Sequence, residues 1–397
     1  MPELAIDGGN PIRKKFLSYG KQSIDEDDIK EVCRVLRSDF LTTGPKVEEF
    51  EEAFADLVNS KEAIAVSSGT AALHAAIFSL GIGKGDEVIV PALTFAASAN
   101  CVVYQGGKPV FCDVDRETLL INPRDAEKKI TSKTKAILSV DFAGQPCDYK
   151  SLKKIAAPNN LKIVADACHS LGANYMEKKV GSITDLSAFS LHPVKGITTG
   201  EGGMVTCSNK STARKMRAFR NHGITVDYRT RAEKDSWFYK INEPGYNYRL
   251  TDFQCALGLS QLKKLPGWIK NRNAVARFYD NSFKDFPWIA PLKRCQNGTH
   301  AFHLYIVRLD LKKLKVKRKK IFQALRAEGI GVNVHYIPVH LHPFYQKNFK
   351  TREGLCPEAE TAYKEILTLP IFPGMTKKDS EDVKDALYKV LNYYGRG

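Results

Sequence analysis

Between residues 62 and 207 the chain repeats one pattern: a short, almost wholly apolar run, a helical run, then another apolar run. The apolar runs are EAIAVSS, DEVIVPA, KPVFCDV, KAILSVD and LKIVADA, then LSAFSLH and GGMVTCS around a Gly-rich turn. A strand with one wet face alternates apolar and polar residues. These runs do not, so both of their faces are expected to be buried. Helical segments such as TAALHAAIFSLG and YKSLKKIAAPN lie between them. Such an order implies an α/β fold, a parallel sheet with helices on both faces.

The alternation ends near residue 265, where KKLPGW marks a break. Beyond it come strand-like AFHLYIVRL and GVNVHYIP, with helices expected around 317–328 and 378–394. That is an α+β pattern. With 397 residues the chain is too long for one small core. It divides on this reading into a large unit, 1–265, and a smaller α+β unit, 266–397. Ahead of the sheet, residues 25–38 (DEDDIKEVCRVLRS) read as an amphipathic helix. Ile29, Val32, Val35 and Leu36 share one face, and acids fill the first turn.

Composition narrows the class. No stretch approaches the roughly 18 apolar residues needed to span a bilayer. MPELAIDGGNPIRKK has no apolar leader core, which points to the cytoplasm and to no membrane partner. The nine cysteines show no CxxC pair and read as reduced, mostly buried thiols. Net charge is +16, densest in KKLKVKRKK at 312–320. No interleaved aromatic motif or zinc-finger spacing accompanies that cluster, so a solvated face is expected and no nucleic-acid partner. His335, His340 and His342 in VNVHYIPVHLHPFY lack the acids or cysteines of a metal site, so no metal is expected. Arg220-Asn221-His222-Gly223 reads as the stop of a helix.

Three pieces carry chemistry. Ser67-Ser68-Gly69-Thr70 follows a strand and opens a helix. A turn there presents free amides and the positive helix end, which suits a phosphate, although any Ser-Gly-Thr can simply cap a helix. Asp166 ends the apolar run LKIVADA. A carboxylate buried at a strand's carboxyl end needs a partner: it can cap the following loop, meet a structural arginine, or hold a protonated heterocyclic nitrogen. Lys195 ends SLHPVK, a small and apolar run that would desolvate its amine. Ser190, five residues earlier, is within reach of a phosphate. Each alone has an ordinary reading. Together, in this order, they fit an enzyme that binds pyridoxal 5′-phosphate (PLP).

The segments SSGTAALHAA, DEVIVPALTFAASAN, DACHSLGA, SLHPVKGITTGEGGM and GYNYRLTDFQCALGLSQL closely resemble the DegT/StrS family of sugar aminotransferases, from about residue 18 to the C-terminus. The resemblance implies the fold-type I PLP-dependent aminotransferase fold: a large domain with a mostly parallel seven-stranded sheet and a smaller C-terminal domain. It implies Lys195 as the Schiff-base and proton-shuttling lysine, and Asp166 as partner of the pyridine nitrogen. Gly69, Thr70 and Ser190 would hold the phosphate, and Phe95 would stack on the ring. His169, where many relatives carry Gln, would lie near the cofactor. Asn247 would reach the phosphate from the other subunit of a homodimer. Thr43, Gly44, Arg249 and Tyr336 would face the substrate, and Arg249 and Arg229 are candidates for its diphosphate. FLTTGPKVEEFE and HPVK-x-ITTGEGG look most like the members that aminate C4 of a UDP-linked 4-keto-6-deoxy-N-acetyl sugar in pseudaminic acid biosynthesis, with L-glutamate as donor and 2-oxoglutarate as product. Members that dehydrate sugars carry His in place of the lysine; Lys195 favours amino transfer. Amination at C3, and a catalytically silent protein on the same fold, are the competing readings.

Overall fold

The computed structural model describes residues 3–226 and 228–396. Its main sheet contains β1 (Glu62–Val66), β2 (Glu87–Pro91), β3 (Lys108–Cys112), β4 (Thr134–Val140), β5 (Lys162–Asp166), β6 (Leu186–Ser190) and β7 (Gly203–Cys207). Their spatial order is β1-β7-β6-β5-β4-β2-β3. Neighbours from β6 to β3 run parallel, while β7 is antiparallel to both β1 and β6. The expected apolar runs are these strands, and β2 is buried at every position. The seven-stranded, mostly parallel sheet stands as the sequence implied.

Parallel order places the strand ends that matter on one edge. Asp166 pairs with Val140 on one side and Ala188 on the other. Ser190 and Val66 both pair with Gly203, the first residue of β7. Asp166, Ser190 and the turn after Val66 therefore share the carboxyl edge, where open α/β sheets bind ligands.

The outer edge of β1 is closed by charge. Glu51, on the helix Pro45–Val58, accepts the Ala65 N–H at 2.9 Å. Arg220 donates to the Ala65 carbonyl at 2.6 Å and also to Glu51. Arg217 donates to the Ala63 carbonyl and to Glu51, both at 3.1 Å, and to Glu62 at 2.8 Å. The edge's free backbone groups are thus covered rather than left open to another strand.

Three expectations differ from the structure. KKLPGW is not a break: one helix runs from Asp252 to Phe283 with Pro266 inside it. A proline there removes one backbone hydrogen bond. Packing on both halves offsets the loss. The first half lies against the helices Glu26–Leu36 and Pro45–Val58, and the second carries Val275, Ala276, Tyr279 and Phe283 into a second core. This helix crosses residue 265 without ending. The second core also takes in Leu4 and Leu17 from the N-terminus. It surrounds a small antiparallel sheet of β8 (Ile289–Pro291), β9 (Tyr305–Leu309) and β10 (Ile366–Leu369).

GVNVHYIP, expected as a strand, forms only an isolated bridge from Asn333 to Thr368. A regular strand points successive side chains to opposite faces. Here His335 and Tyr336 both turn toward the carboxyl edge of the main sheet. Helices do form at Arg318–Ala327 and Lys377–Tyr394.

The helix Glu26–Leu36 is capped by Asp25 as its acidic first turn suggests. Its expected apolar face is only partly used. Val35 is buried, while Ile29 and Leu36 are exposed and Asp28 is fully buried. Asp28 accepts from Gln261 at 2.6 Å and Lys264 at 2.7 Å on the long helix, so a polar clamp replaces apolar packing.

All nine cysteines are free thiols, six of them buried. No helix among the described residues is long and apolar enough to cross a membrane. Replacing Glu51 with Ala removes the acceptor shared by Arg217 and Arg220, whose side chains are largely covered. We expect a loss of about 3 kcal/mol of stability by urea denaturation; a change below about 0.5 kcal/mol, the surface-substitution range, would contradict this role for the edge.

Candidate active site

Ser68 caps the helix Gly69–Ser79, its hydroxyl accepting the Ala71 N–H at 3.1 Å. The first intrahelical bond comes from Ala72, so the amides of Gly69 and Thr70 precede it at the positive helix end. Glycine is required here. A Cβ on Gly69 would lie 2.7 Å from the Ser190 Cβ, and one on Gly203 would lie 2.2 Å from the Ser68 carbonyl oxygen. The two bare backbones let the Ser68–Thr70 turn and Ser190 close into one cradle. Ser67 N–H donates to the Tyr248 carbonyl at 2.8 Å, which ties the segment 246–249 alongside it.

Asp166 is buried at the end of β5. One oxygen accepts the Ser98 hydroxyl at 2.6 Å, and Thr94 lies 2.7 Å beyond Ser98. The other oxygen accepts the Cys168 N–H at 3.2 Å. Among the described residues no cationic side chain forms an ion pair with Asp166. Of its two ordinary roles, Asp166 does cap the following loop through the Cys168 N–H, while among the described residues no arginine pairs with it.

Lys195 follows β6 in a turn closed by its own N–H to the His192 carbonyl at 2.9 Å. Burial lowers the pKa of its amine from the usual lysine range, while Cys168 and Asp166 pull it partly back. Three histidines come close to it. His169 faces Tyr336, with Nε2 3.2 Å from the phenol oxygen, and its ring centroid lies 4.4 Å from that of His303. His335 sits beside Thr368 at 2.9 Å. Burial, reinforced by the lysine, drives His169 and His303 well below the usual histidine range and His335 to about 3. All three are neutral donors or acceptors near pH 7. Among the described residues the buried Nδ1 atoms of His169 and His303 find no hydrogen-bond partner.

Phe95, just beyond β2, remains 58% exposed although Leu93, Thr94 and Ala97 are buried. Its ring centroid is 5.9 Å from that of Tyr336. Burial, and next the charge of Asp166, push the Tyr336 phenol well above its usual range.

The other expected residues lie in a second group. Gly44 caps the helix Pro45–Val58 and donates to Asp252 at 2.8 Å; Thr43, beside it, is exposed with φ 56°. Thr42 bridges to Thr251, and Arg249 donates to Asn221 at 2.7 Å. Asn247 is exposed, bridging Asn221 through its backbone. Arg229 is paired with Glu48 at 3.5 Å. Among the described contacts this group meets the cradle through Ser67 and Tyr248, and no contact takes it to Asp166 or Lys195.

Ser98, His303, His335 and Arg272 also reach the site and were not singled out for it from the sequence. Ser98 had a signal: a hydroxyl in the apolar LTFAAS run, three residues after Phe95. His303 and Arg272 had none, because only the fold returns them to Lys195. The three histidines of the 335–342 segment do not gather. His340 pairs with Glu360 at 2.8 Å, away from His335. Among the described residues no group of three or more His, Cys, Asp or Glu could hold a metal ion.

The residues fit PLP. An uncompensated buried carboxylate suits a protonated ring nitrogen, a glycine-lined cradle at a helix N-terminus suits a phosphate, an exposed aromatic suits a ring face, and an orphaned imidazole nitrogen suits a polar substituent. The fold is that of the fold-type I PLP-dependent aminotransferases. A model of the DegT/DnrJ/EryC1/StrS aminotransferase family matches residues 22–388, and the chain belongs to that family. It is a PLP-dependent sugar aminotransferase.

The spore coat polysaccharide biosynthesis protein SpsC of Bacillus subtilis is 40% identical over 381 residues, 96% of this chain and 98% of SpsC. Among solved structures, Helicobacter pylori PseC, an aminotransferase involved in the biosynthesis of pseudoaminic acid, matches with TM-score 0.89 at 32% identity, over 96% of this chain and 100% of that one. Streptococcus pneumoniae Spr1654 in its PMP form matches with TM-score 0.89 at 31% identity, over 95% and 99%; its PLP form gives 0.88 at 32%.

The buried histidines predict a pH response. His74, pushed by burial to about 4, joins His169, His303 and His335 as a neutral group. Their folded pKa values lie below the unfolded value near 6.5, so their stabilising contribution is complete above that pH. It is lost on acidification at about 1.4 kcal/mol per pH unit for each group. Asp141, raised by burial to about 6, works in the opposite sense but is one group against these four and His300, which burial lowers to about 3. The Tm of the cofactor-free protein is expected to fall steadily from about pH 6.5 to pH 4.5; a level Tm across that window would contradict the neutral assignment.

Proposed function

We propose that the enzyme transfers an amino group from L-glutamate to C4 of a nucleotide-linked 4-keto-6-deoxy sugar, of the UDP-4-keto-6-deoxy-N-acetyl-L-altrosamine type. It acts as a homodimer with shared sites. The observation that carries the reading is the meeting of a buried Asp166, which has no ion pair among the described residues, with a half-buried Lys195 in the turn after the adjacent strand. The likeness to PseC, an aminotransferase involved in pseudoaminic acid biosynthesis, and the resemblance carried by FLTTGPKVEEFE and HPVK-x-ITTGEGG support that choice.

Bound PLP supplies an electron sink that stabilises the negative charge left when a Cα–H bond breaks. The chain supplies the rest. Asp166, steadied by Ser98 and the Cys168 amide, keeps the pyridine nitrogen protonated. The Gly69 and Thr70 amides and the Ser190 hydroxyl receive the phosphate, and Asn247 of the partner subunit completes its shell. Phe95 covers one ring face, and His169 holds the polar edge. Lys195 carries the cofactor at rest. When freed, its Nζ takes the proton from glutamate Cα in one half-cycle and delivers a proton to the sugar carbon in the other. A base working at two carbons depends on position more than on strength. Thr43, Gly44, Arg249 and Tyr336 face the sugar nucleotide, with Arg249 on its diphosphate and Arg229 as a second candidate.

The dimer reading has its own support. Ile24, Ile29, Leu36, Phe40 and Leu41 are exposed in one chain, as are Trp237, Phe238 and Ile241 beyond the Arg229 segment. An apolar surface of this extent suits a second copy. The two-unit division at residues 265/266 remains our reading of the sequence pattern.

A panel of UDP- and dTDP-linked keto-sugars with glutamate, read by mass spectrometry and product NMR, tests the substrate. We expect a UDP-linked product with nitrogen at C4; nitrogen at C3, or preference for dTDP substrates, would contradict that choice. Lys195→Ala is expected to abolish turnover in the same assay, and substantial transfer by the variant would overturn the role of the lysine.

A further inference from the structure

The long helix places a buried cation beneath the Lys195 turn. Arg272 is 2% exposed, and among the described residues it forms no ion pair. All of its hydrogen bonds go to main-chain carbonyls. Nη1 donates to Ile371 at 2.9 Å, Phe302 at 3.1 Å and His303 at 3.3 Å; Nη2 donates to Lys195 at 3.5 Å, the long limit of such a bond. These acceptors come from three segments far apart in sequence, and the Arg272 head is where they meet.

Such a group is costly. A guanidinium taken out of water and offered only carbonyl dipoles loses hydration that no carboxylate replaces, and an apolar side chain of similar size would fill the space at less cost. Burial brings its pKa to about 10, so it still carries its charge at neutral pH. The fork of donors does what an apolar residue cannot: it fixes the distances between separate loops. Two of those loops carry Lys195 and His303, and the His303 ring packs against His169. The same helix also holds the following turn, through Gln261 Oε1 to the Thr198 N–H at 3.3 Å and Gln254 Nε2 to the Glu201 carbonyl at 2.9 Å. Small residues let it approach: a Cβ on Gly172 would fall 2.1 Å from the Ile269 side chain.

We infer that Arg272 is a positioning residue for amino transfer, pinning the Lys195 main chain to the Phe302–His303 turn so that the lysine amine is held against the His169–His303 pair. This rests on the reading of Lys195 as the proton-moving amine. Arg272 lies behind the site and acts through the backbone of Lys195.

Two measurements on Arg272→Met and Arg272→Lys test it. In the cofactor-free protein, competitive labelling with acetic anhydride and peptide mapping reads Lys195 across pH. The Met variant, which keeps the volume and loses the donors, is expected to shift the apparent pKa of Lys195 up toward the ordinary lysine range, with Lys153 unmoved as control. In the loaded enzyme, the single-turnover reaction with glutamate is expected to slow by about tenfold or more with little change in glutamate affinity, because misplacement of a reacting group costs rate rather than binding. Glutamate deuterated at Cα is expected to show a larger isotope effect in the Met variant, and Arg272→Lys is expected to recover part of the rate.

A Met variant that folds, labels like wild type and reacts at the wild-type rate overturns the inference alone. So does the failure of both variants to fold, which would make Arg272 a structural tie only. Wild-type protein whose visible absorption does not respond to glutamate overturns the reading of the site, and this inference with it.

Discussion

A carboxylate is buried at the end of a central strand without a cation to neutralise it, and the rest of the site follows from that. Asp166 has its two hydrogen bonds, from Ser98 and from the Cys168 amide, but no ion pair among the described residues. Left so, it weakens the fold. A ligand that brings a protonated nitrogen turns the cost into binding energy and keeps the proton where the chemistry needs it. The sheet's parallel order is what makes the arrangement possible. It delivers Asp166, Ser190 and the Ser67–Thr70 turn to one edge, and the antiparallel β7 brings Gly203 in to let the turn and Ser190 close together.

The parts of this legible in sequence were those written locally. Buried parallel strands leave uninterrupted apolar runs, so all seven strands of the main sheet could be read off. The glycine turn, the aspartate at a strand end and the lysine in a small-residue run each sit inside a short segment. The residues that escaped notice are linked to the site only by tertiary packing. His303 and Arg272 reach Lys195 because the long helix and the segment before β9 fold back over it. GVNVHYIP misled because its β-branched and aromatic residues favour a strand, whereas the fold uses the segment to aim His335 and Tyr336 together. KKLPGW misled for a related reason. A proline and a glycine are strong local stop signals, but apolar contacts on both sides of Pro266 outweigh one lost hydrogen bond. The buried Asp28 shows the same limit: an acid in a first turn reads as a dipole partner, and only the structure shows it clamped by Gln261 and Lys264.

The long helix joins the two cores. It begins beside the turn that carries Gly44, runs beneath the Lys195 loop, and ends among the residues around the small sheet. Contacts along its length touch Glu201, Thr198 and Lys195 in turn. In the proposed role of Lys195 the amine works near two different carbons and benefits from a rigid support beneath it, and a helix of 32 residues provides one. The neutral histidines above the lysine add a dry, uncharged wall, so the amine meets its surroundings as a weak base.

The proposed role of Lys195 rests on one bond, between the cofactor aldehyde and the amine at position 195. Borohydride reduction of the loaded protein, followed by proteolysis and mass mapping, reads that bond directly. The account predicts a pyridoxyl group on Lys195 and on no other residue; a label on another lysine, or none at all on protein that has bound the cofactor, would contradict it.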